Sequence, residues 1–215
     1  MQTQETEDRI LLIDKPIEWT SFDVVRKMRR LLKIRKIGHA GTLDPLATGL
    51  LIICTGKFTK RINEFQNLEK EYSGTLVLGQ TTETCDLESK PTEAVSLEGI
   101  TPEMLELVRN NFVGSIQQIP PMHSAIKIDG KRAYDLARKG IEKDLEARTV
   151  EISEFKLTRV ELPEVDFLVV CSKGTYIRSL VRDFGARLGV GAYMSALRRT
   201  RIGTFNVTDA QIPTA

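Results

Sequence analysis

The sequence predicts an α+β domain, with strands and helices of ordinary length gathered around a mixed sheet. Three observations predict it. Apolar runs of strand length recur at residues 10–13, 50–55, 72–78 and 167–172. Two segments, 21–32 and 177–188, place apolar residues at helical spacing. Strands and helices follow no strict alternation of the kind that marks a wholly parallel sheet, and no repeat or low-complexity linker interrupts the chain. The chain has 215 residues, 41% of them hydrophobic, enough for a real core. Residues 1–215 are expected to form a single domain.

Taken in order, residues 10–13 read as a strand that runs into a turn at Asp14-Lys15-Pro16. Ser21 is expected to cap a helix reaching about Leu32. Phe22, Val25, Met28 and Leu32 share one face of it, and basic residues crowd the other. Residues 50–55 are continuously apolar, which predicts a strand buried on both faces. Residues 72–78 read as another strand. Thr101-Pro102 starts a helix with proline at its first position, and Gly114 lies just past its end. Asp129-Gly130 reads as a tight turn. Residues 150–160 roughly alternate, as a half-buried strand does. Ile177, Leu180, Val181, Phe184 and Leu188 form a helical stripe stopped by Gly189. Residues 202–207 read as a last strand. Residues 119–148 begin at a Pro120-Pro121 pair and carry their own basic residues, which suggests an insertion. The plainer alternative is a helical hairpin packed on the sheet.

The net charge of +2 does not by itself mark a nucleic-acid binder. Its distribution says more. Seven basic and no acidic residues fall between Arg26 and Lys36. Arg198, Arg199 and Arg201 form a second cluster. Lys127, Lys131, Arg132, Arg138 and Lys139 form a third, diluted by Asp129 and Asp135. Each alone reads as a solvated face; together they suit an acidic partner that offers a phosphate backbone. Cys54, Cys85 and Cys171 are odd in number, far apart and in no metal-binding spacing, which predicts reduced thiols in a cytoplasmic protein and no zinc site. Neither a signal peptide nor an apolar run of the roughly 18 residues needed for a membrane span is evident.

The stretch richest in chemistry is Gly38-His39-Ala40-Gly41-Thr42-Leu43-Asp44-Pro45-Leu46-Ala47-Thr48-Gly49. Three glycines permit tight bends and close approach by another molecule. No phosphate-cradling G-x-x-x-x-G-K pattern is present. From local pattern alone, Asp44 is expected to cap a helix that starts at Pro45.

This stretch resembles the catalytic motif of the tRNA pseudouridine synthase B (TruB) family. Asp14-Lys15-Pro16 with Trp19-Thr20-Ser21 resembles that family's amino-terminal motif, and Lys70-Glu71-Tyr72 its K-x-Y element. Pro120-Pro121-Met122-His123-Ser124-Ala125-Ile126-Lys127, followed by Gly130-Lys131-Arg132-Ala133-Tyr134, resembles its RNA-binding insertion. The run from Ser172 through Gly174-Thr175-Tyr176-Ile177-Arg178 to Leu180 resembles its arginine motif, and Leu197-Arg198-Arg199 its last motif. Six matches in order span about residues 10 to 205. Two departures stand out. His123 occupies a position where tyrosine is commoner, and the sequence ends at Ala215 where many relatives carry a further carboxy-terminal RNA-binding domain.

The resemblance implies a pseudouridine synthase-like fold in one catalytic domain, with residues 119–148 as a thumb-like RNA-binding insertion. It implies conversion of uridine to pseudouridine at position 55 in the tRNA T loop, without cofactor or metal, by a monomer gripping the T arm. Asp44 would be the nucleophile, Arg178 the cation that keeps it ionised, and Tyr72 a stacking group or late base. His39, Tyr176 and Leu197 would contact the flipped nucleotide or back Asp44. Lys127, Lys131, Arg132 and Arg198 would hold RNA. One competing reading is a non-catalytic tRNA-binding or folding module on the same scaffold. Another is a glycoside hydrolase, which needs a second carboxylate; Glu83 and Asp86 are its unsupported candidates.

Overall fold

The computed structural model describes residues 8–124, 127–128, 131–132 and 145–213. In chain order the elements are β1 (Ile10–Lys15), α1 (Ser21–Leu32), β2 (Ile37–Ala40), β3 (Ala47–Thr55), α2 (Ile62–Asn67), β4 (Lys70–Leu78), α3 (Pro102–Asn110), β5 (Gly114–Gln118), β6 (Lys127–Ile128), β7 (Lys131–Arg132), β8 (Arg148–Glu161), β9 (Glu164–Cys171), α4 (Ile177–Arg187), β10 (Ala192–Ile202) and β11 (Phe205–Asn206). The chain divides into two compact units, Met1–Ser73 with Ala196–Ala215, and Gly74–Ser195. The division falls within β4 and within β10.

In the first unit β3 is the central strand. It pairs antiparallel with β1 and with β2, and parallel with β10 at Leu197↔Ala47, Arg198↔Thr48 and Arg199↔Gly49. This is the mixed sheet that the sequence predicts. The continuous apolar run of β3 follows from burial on both faces. Leu51 and Ile53 join Ile13, Val24, Val25, Met28 and Ile37 in one cluster, while Leu50, Ile52 and Cys54 join Ala40, Phe65 and Ile202 in another. Each such side chain removed from water contributes about 1.5–3 kcal/mol.

Helix α1 begins one residue earlier than expected. Thr20 is its cap and accepts from the Asp23 amide, while the Asp23 carboxylate accepts from the Thr20 amide, a reciprocal capping box. The helix buries Ser21, Val24, Val25 and Met28, and Phe22 is 58% exposed instead of lying on the apolar face. Ser21 is freed from capping and reaches the loop before β3.

In the second unit β8 and β9 form a long antiparallel hairpin, and β5 pairs with β8. Phe155 packs against Phe167 and Phe184, and Phe184 also meets Phe112. Thr101 caps α3 with Pro102 at its first turn, and α4 follows the predicted stripe. Strands β2 and β5 were not anticipated. The expected strand at 202–207 is instead the end of β10, a turn at Gly203 and the short β11. Strands β6 and β7 pair antiparallel, whereas the predicted turn residues Asp129 and Gly130 and most of the 119–148 insertion lie outside the described residues.

Candidate active site

Asp44 does not cap a helix. The chain makes a turn at this point, with the Ala47 amide donating to the Asp44 carbonyl at 3.1 Å, and then enters β3. Gly41 (φ +96°) and Gly49 (φ +103°) supply the left-handed bends at either side of the carboxylate. Within this loop Ser21 Oγ accepts from the Leu43 amide at 2.8 Å and donates to the Leu43 carbonyl at 3.2 Å. The Pro45 carbonyl accepts from the Glu18 amide at 2.9 Å and from Lys15 Nζ at 3.1 Å. The main chain on both sides of half-buried Asp44 is thereby fixed by α1, β1 and the turn between them.

Lys15 is fully buried. Besides Pro45 its ammonium donates to the carbonyls of Pro16 at 3.0 Å and Trp19 at 2.5 Å, so three protons meet three acceptors. Burial brings the Lys15 pKa down to about 8; Arg199 acts in the same direction, and the Asp44 and Asp23 carboxylates oppose it. His39 lies on β2 opposite Ile53, and burial, aided by the Arg199 charge and opposed by the Gly41 backbone, lowers its pKa and favours neutral imidazole. Tyr72 on β4 and Leu197 on β10 are buried, with 9% and 8% exposure. Lys70, in the same motif as Tyr72, turns inward and donates to the carbonyls of Gln66 and Leu68.

The arginines at 198–201 do not form a basic face. Alternation along β10 turns Arg198 to the face opposite Arg199 and Arg201, and other groups hold each of the three. Arg198 makes a bidentate pair with Asp14, at 3.0 and 2.7 Å. Arg201 pairs with Glu69 at 3.1 Å and Glu71 at 3.6 Å, and Arg199 is buried. The reading of this cluster as a solvated phosphate track is corrected accordingly.

In the second unit Arg178, in the first turn of α4, is 5% exposed. Its Nη1 donates to the Thr84 carbonyl at 3.0 Å and its Nη2 to the His123 carbonyl at 2.9 Å; Nε lies 3.6 Å from the buried Asp86 carboxylate. Asp86 also accepts from Thr84 Oγ1 and the Glu88 amide. Arg178 is thus buried and held by main-chain acceptors on two sides. Tyr176 is the residue preceding α4, and its main chain exchanges two hydrogen bonds with the Gln118 side-chain amide, at 2.8 and 3.1 Å. His123 Nε2 lies 3.6 Å from Glu83. Lys127, Lys131 and Arg132 lie on β6 and β7, and their side chains are outside the described set.

Sequence reasoning gave Lys15 no role, took Ser21 only as a helix cap and Arg199 only as part of a basic cluster, and offered Asp86 only as an unsupported second carboxylate. Lys15 and Arg199 sat inside quoted motifs, where the signal was present but unread. Asp86 had no local signal, because its partner is distant in the chain.

A family model described as the TruB family pseudouridylate synthase N-terminal domain matches residues 29–177, and one described as the tRNA pseudouridylate synthase B C-terminal domain matches residues 178–214. A tRNA pseudouridine synthase B from Parabacteroides distasonis is 56% identical over 200 residues, covering 90% of this chain and 85% of the relative. One from Flavobacterium johnsoniae is 51% identical, covering 95% and 92%. Among solved structures, a Cbf5-Nop10-Gar1 complex matches with a TM-score of 0.72 and 31% identity over 92% of this chain, and an H/ACA RNP bound to a substrate RNA containing 2'-deoxyuridine with 0.70 and 28% over 94%. The chain spans about half the length of those structural neighbours, 49% and 50%. Fold and site define a pseudouridylate synthase. The chain belongs to the TruB family.

Proposed function

We propose that this chain converts uridine to pseudouridine at conventional position 55 in the T loop of tRNA, with Asp44 as the nucleophilic carboxylate. The observation that carries the reading is the placement of the family's motif aspartate on a loop whose main chain is fixed on both sides, with the buried Lys15 ammonium nearby. A rigid carboxylate suits covalent chemistry, which splits one difficult step into easier ones.

The reaction breaks the N1–C1′ bond, turns the uracil and forms the C5–C1′ bond. C5 loses a proton and N1 gains one, so atoms balance with no external electron or group and no cofactor is required. Attack at C1′, attack at C6, and removal of the C2′ proton all begin at the same carboxylate. By the family resemblance of its motif, Arg178 is the cation assigned to keep Asp44 ionised. Tyr72 stacks on the uracil and takes the C5 proton by proximity. Tyr176 and Leu197 contact the base. Neutral His39 fills the space that the flipped nucleotide leaves. Extruding a base costs a few kcal/mol, least for one already in a loop.

The chain acts as one catalytic domain, a cytoplasmic monomer. The exposed basic residues of α1, together with Lys127, Lys131 and Arg132 of the 119–148 insertion, grip the T arm; Arg198 joins them only by releasing Asp14. Among the described residues no helix is long and apolar enough to cross a membrane. Carbodiimide treatment followed by primer extension on a tRNA transcript tests the substrate. A stop at position 55 that disappears when this uridine is replaced by cytidine is expected. Stops only at other uridines would overturn the assignment.

A further inference from the structure

Arg199 is 1% exposed, and among the described residues its guanidinium donates only to main-chain carbonyls: Nε to Leu50 at 2.7 Å and Nη2 to Gly41 at 3.1 Å. Burying a guanidinium is expensive unless its donors are satisfied, and an apolar side chain in its place would leave two buried carbonyls without a donor. The two carbonyls themselves supply the reason for an arginine here. Gly41 opens the Asp44 loop and Leu50 lies just beyond its close, so one planar group with donors in fixed directions sets the distance between the two ends.

The backbone of Arg199 acts on the same loop. A Cβ at Gly49 would lie 2.3 Å from the Arg199 carbonyl oxygen, and one at Gly41 would lie 3.6 Å from Nη1. The parallel register Arg199↔Gly49 explains the closeness. Ser21 and Lys15 fix the middle of the loop from α1 and β1, and Arg199 fixes its ends from β10.

We propose that Arg199 is a positioning residue for the reaction: its guanidinium sets the span from Gly41 to Leu50 and so aims the Asp44 carboxylate at the ribosyl uracil. The inference rests on the reading of Asp44 as nucleophile. Arg199 does not touch RNA, because its side chain is closed to solvent. Small errors in the placement of a reacting group are costly in rate, whereas ground-state binding of tRNA depends on other surfaces.

The test compares the full chain with Arg199→Lys and Arg199→Gln in steady-state turnover of a tRNA transcript, equilibrium tRNA binding and thermal unfolding, with Asp44→Asn as reference. The expected result is kcat lowered by about tenfold or more, with KM and Kd within about twofold of the wild type. Lysine, able to keep one of the two carbonyls, should retain more activity than glutamine. An arginine that mattered only for folding would lower the melting midpoint and leave kcat per folded molecule unchanged, and that result overturns the proposal. So does a loss confined to KM and binding. If Arg199→Gln does not fold, Arg199→Lys decides by the same split of kcat from KM. A wild type that binds tRNA without turning it over overturns the Asp44 reading itself, and the present proposal falls with it.

Discussion

Two basic stretches, residues 26–36 and 198–201, differ in where their charges go. On α1 and the turn after it, Arg26, Arg30, Lys33, Arg35 and Lys36 are exposed. Arg26 pairs with Asp23 and lies over the exposed Phe22 ring, 5.8 Å from its centroid. On β10, Arg198 and Arg199 point to opposite sides of the strand, and Arg198, Arg199 and Arg201 each find a partner elsewhere in the chain. A helix gathers residues three and four apart on one solvated face, whereas a strand divides successive residues between two faces. Similar charge in sequence therefore becomes a surface field in one place and a set of internal ties in the other.

The comparison is broken most severely at Arg199. Arg199→Met should cost about 3 kcal/mol in urea unfolding, because two buried carbonyls lose their donor, while Arg30→Ala should stay within about 0.5 kcal/mol. Equal effects at the two positions would contradict the division.

Lys15 gives an effect of similar size that depends on pH. Its folded pKa of about 8 lies below the ordinary 10.5, so between those values the unfolded chain holds a proton that the folded chain has released. Stability should therefore rise with pH through that window, by up to about 3 kcal/mol, and this contribution is flat below pH 8. The difference in unfolding free energy between wild type and Lys15→Met, measured from pH 7 to 10.5, isolates the effect. A difference constant with pH would show that burial does not depress this ammonium.

Smaller effects sharpen the picture. Arg198→Ala removes a bidentate but partly exposed pair with Asp14 and should cost about 1 kcal/mol or less, with tRNA affinity nearly unchanged at moderate salt. Arg30→Ala with Lys33→Ala should leave stability alone and weaken tRNA binding. It should also reduce the slope of log K against log salt by about 0.7–0.9 for each phosphate that is no longer neutralised. An unchanged slope would make the face of α1 a merely solvated one.

Much of the fold was legible because burial writes itself into periodicity. The run at β3, the stripe of α4 and the Thr101-Pro102 start of α3 all carry local signals that tertiary packing reinforces. What was illegible depended on partners far along the chain. Strand β10 was hidden because its arginines look like surface residues until Asp14, Gly41, Leu50 and Glu69 are brought to them. Phe22 was misplaced because the buried face centres on Ser21, Val24, Val25 and Met28, which leaves Phe22 at its edge. In the site, Asp44 was singled out through its motif, yet the local expectation of a helix at Pro45 failed: Lys15, Glu18 and Ser21 hold a turn there. Asp86 could not be recognised as the partner of Arg178, because only folding sets the two side by side.

The most direct test of the central claim is tritium release from C5-labelled uridine in a tRNA transcript, comparing wild type with Asp44→Asn. The account predicts stoichiometric release by the wild type and a fall of at least about a thousandfold in the variant, with tRNA binding retained. Binding by both proteins with release by neither would contradict it and leave a protein that holds tRNA without modifying it.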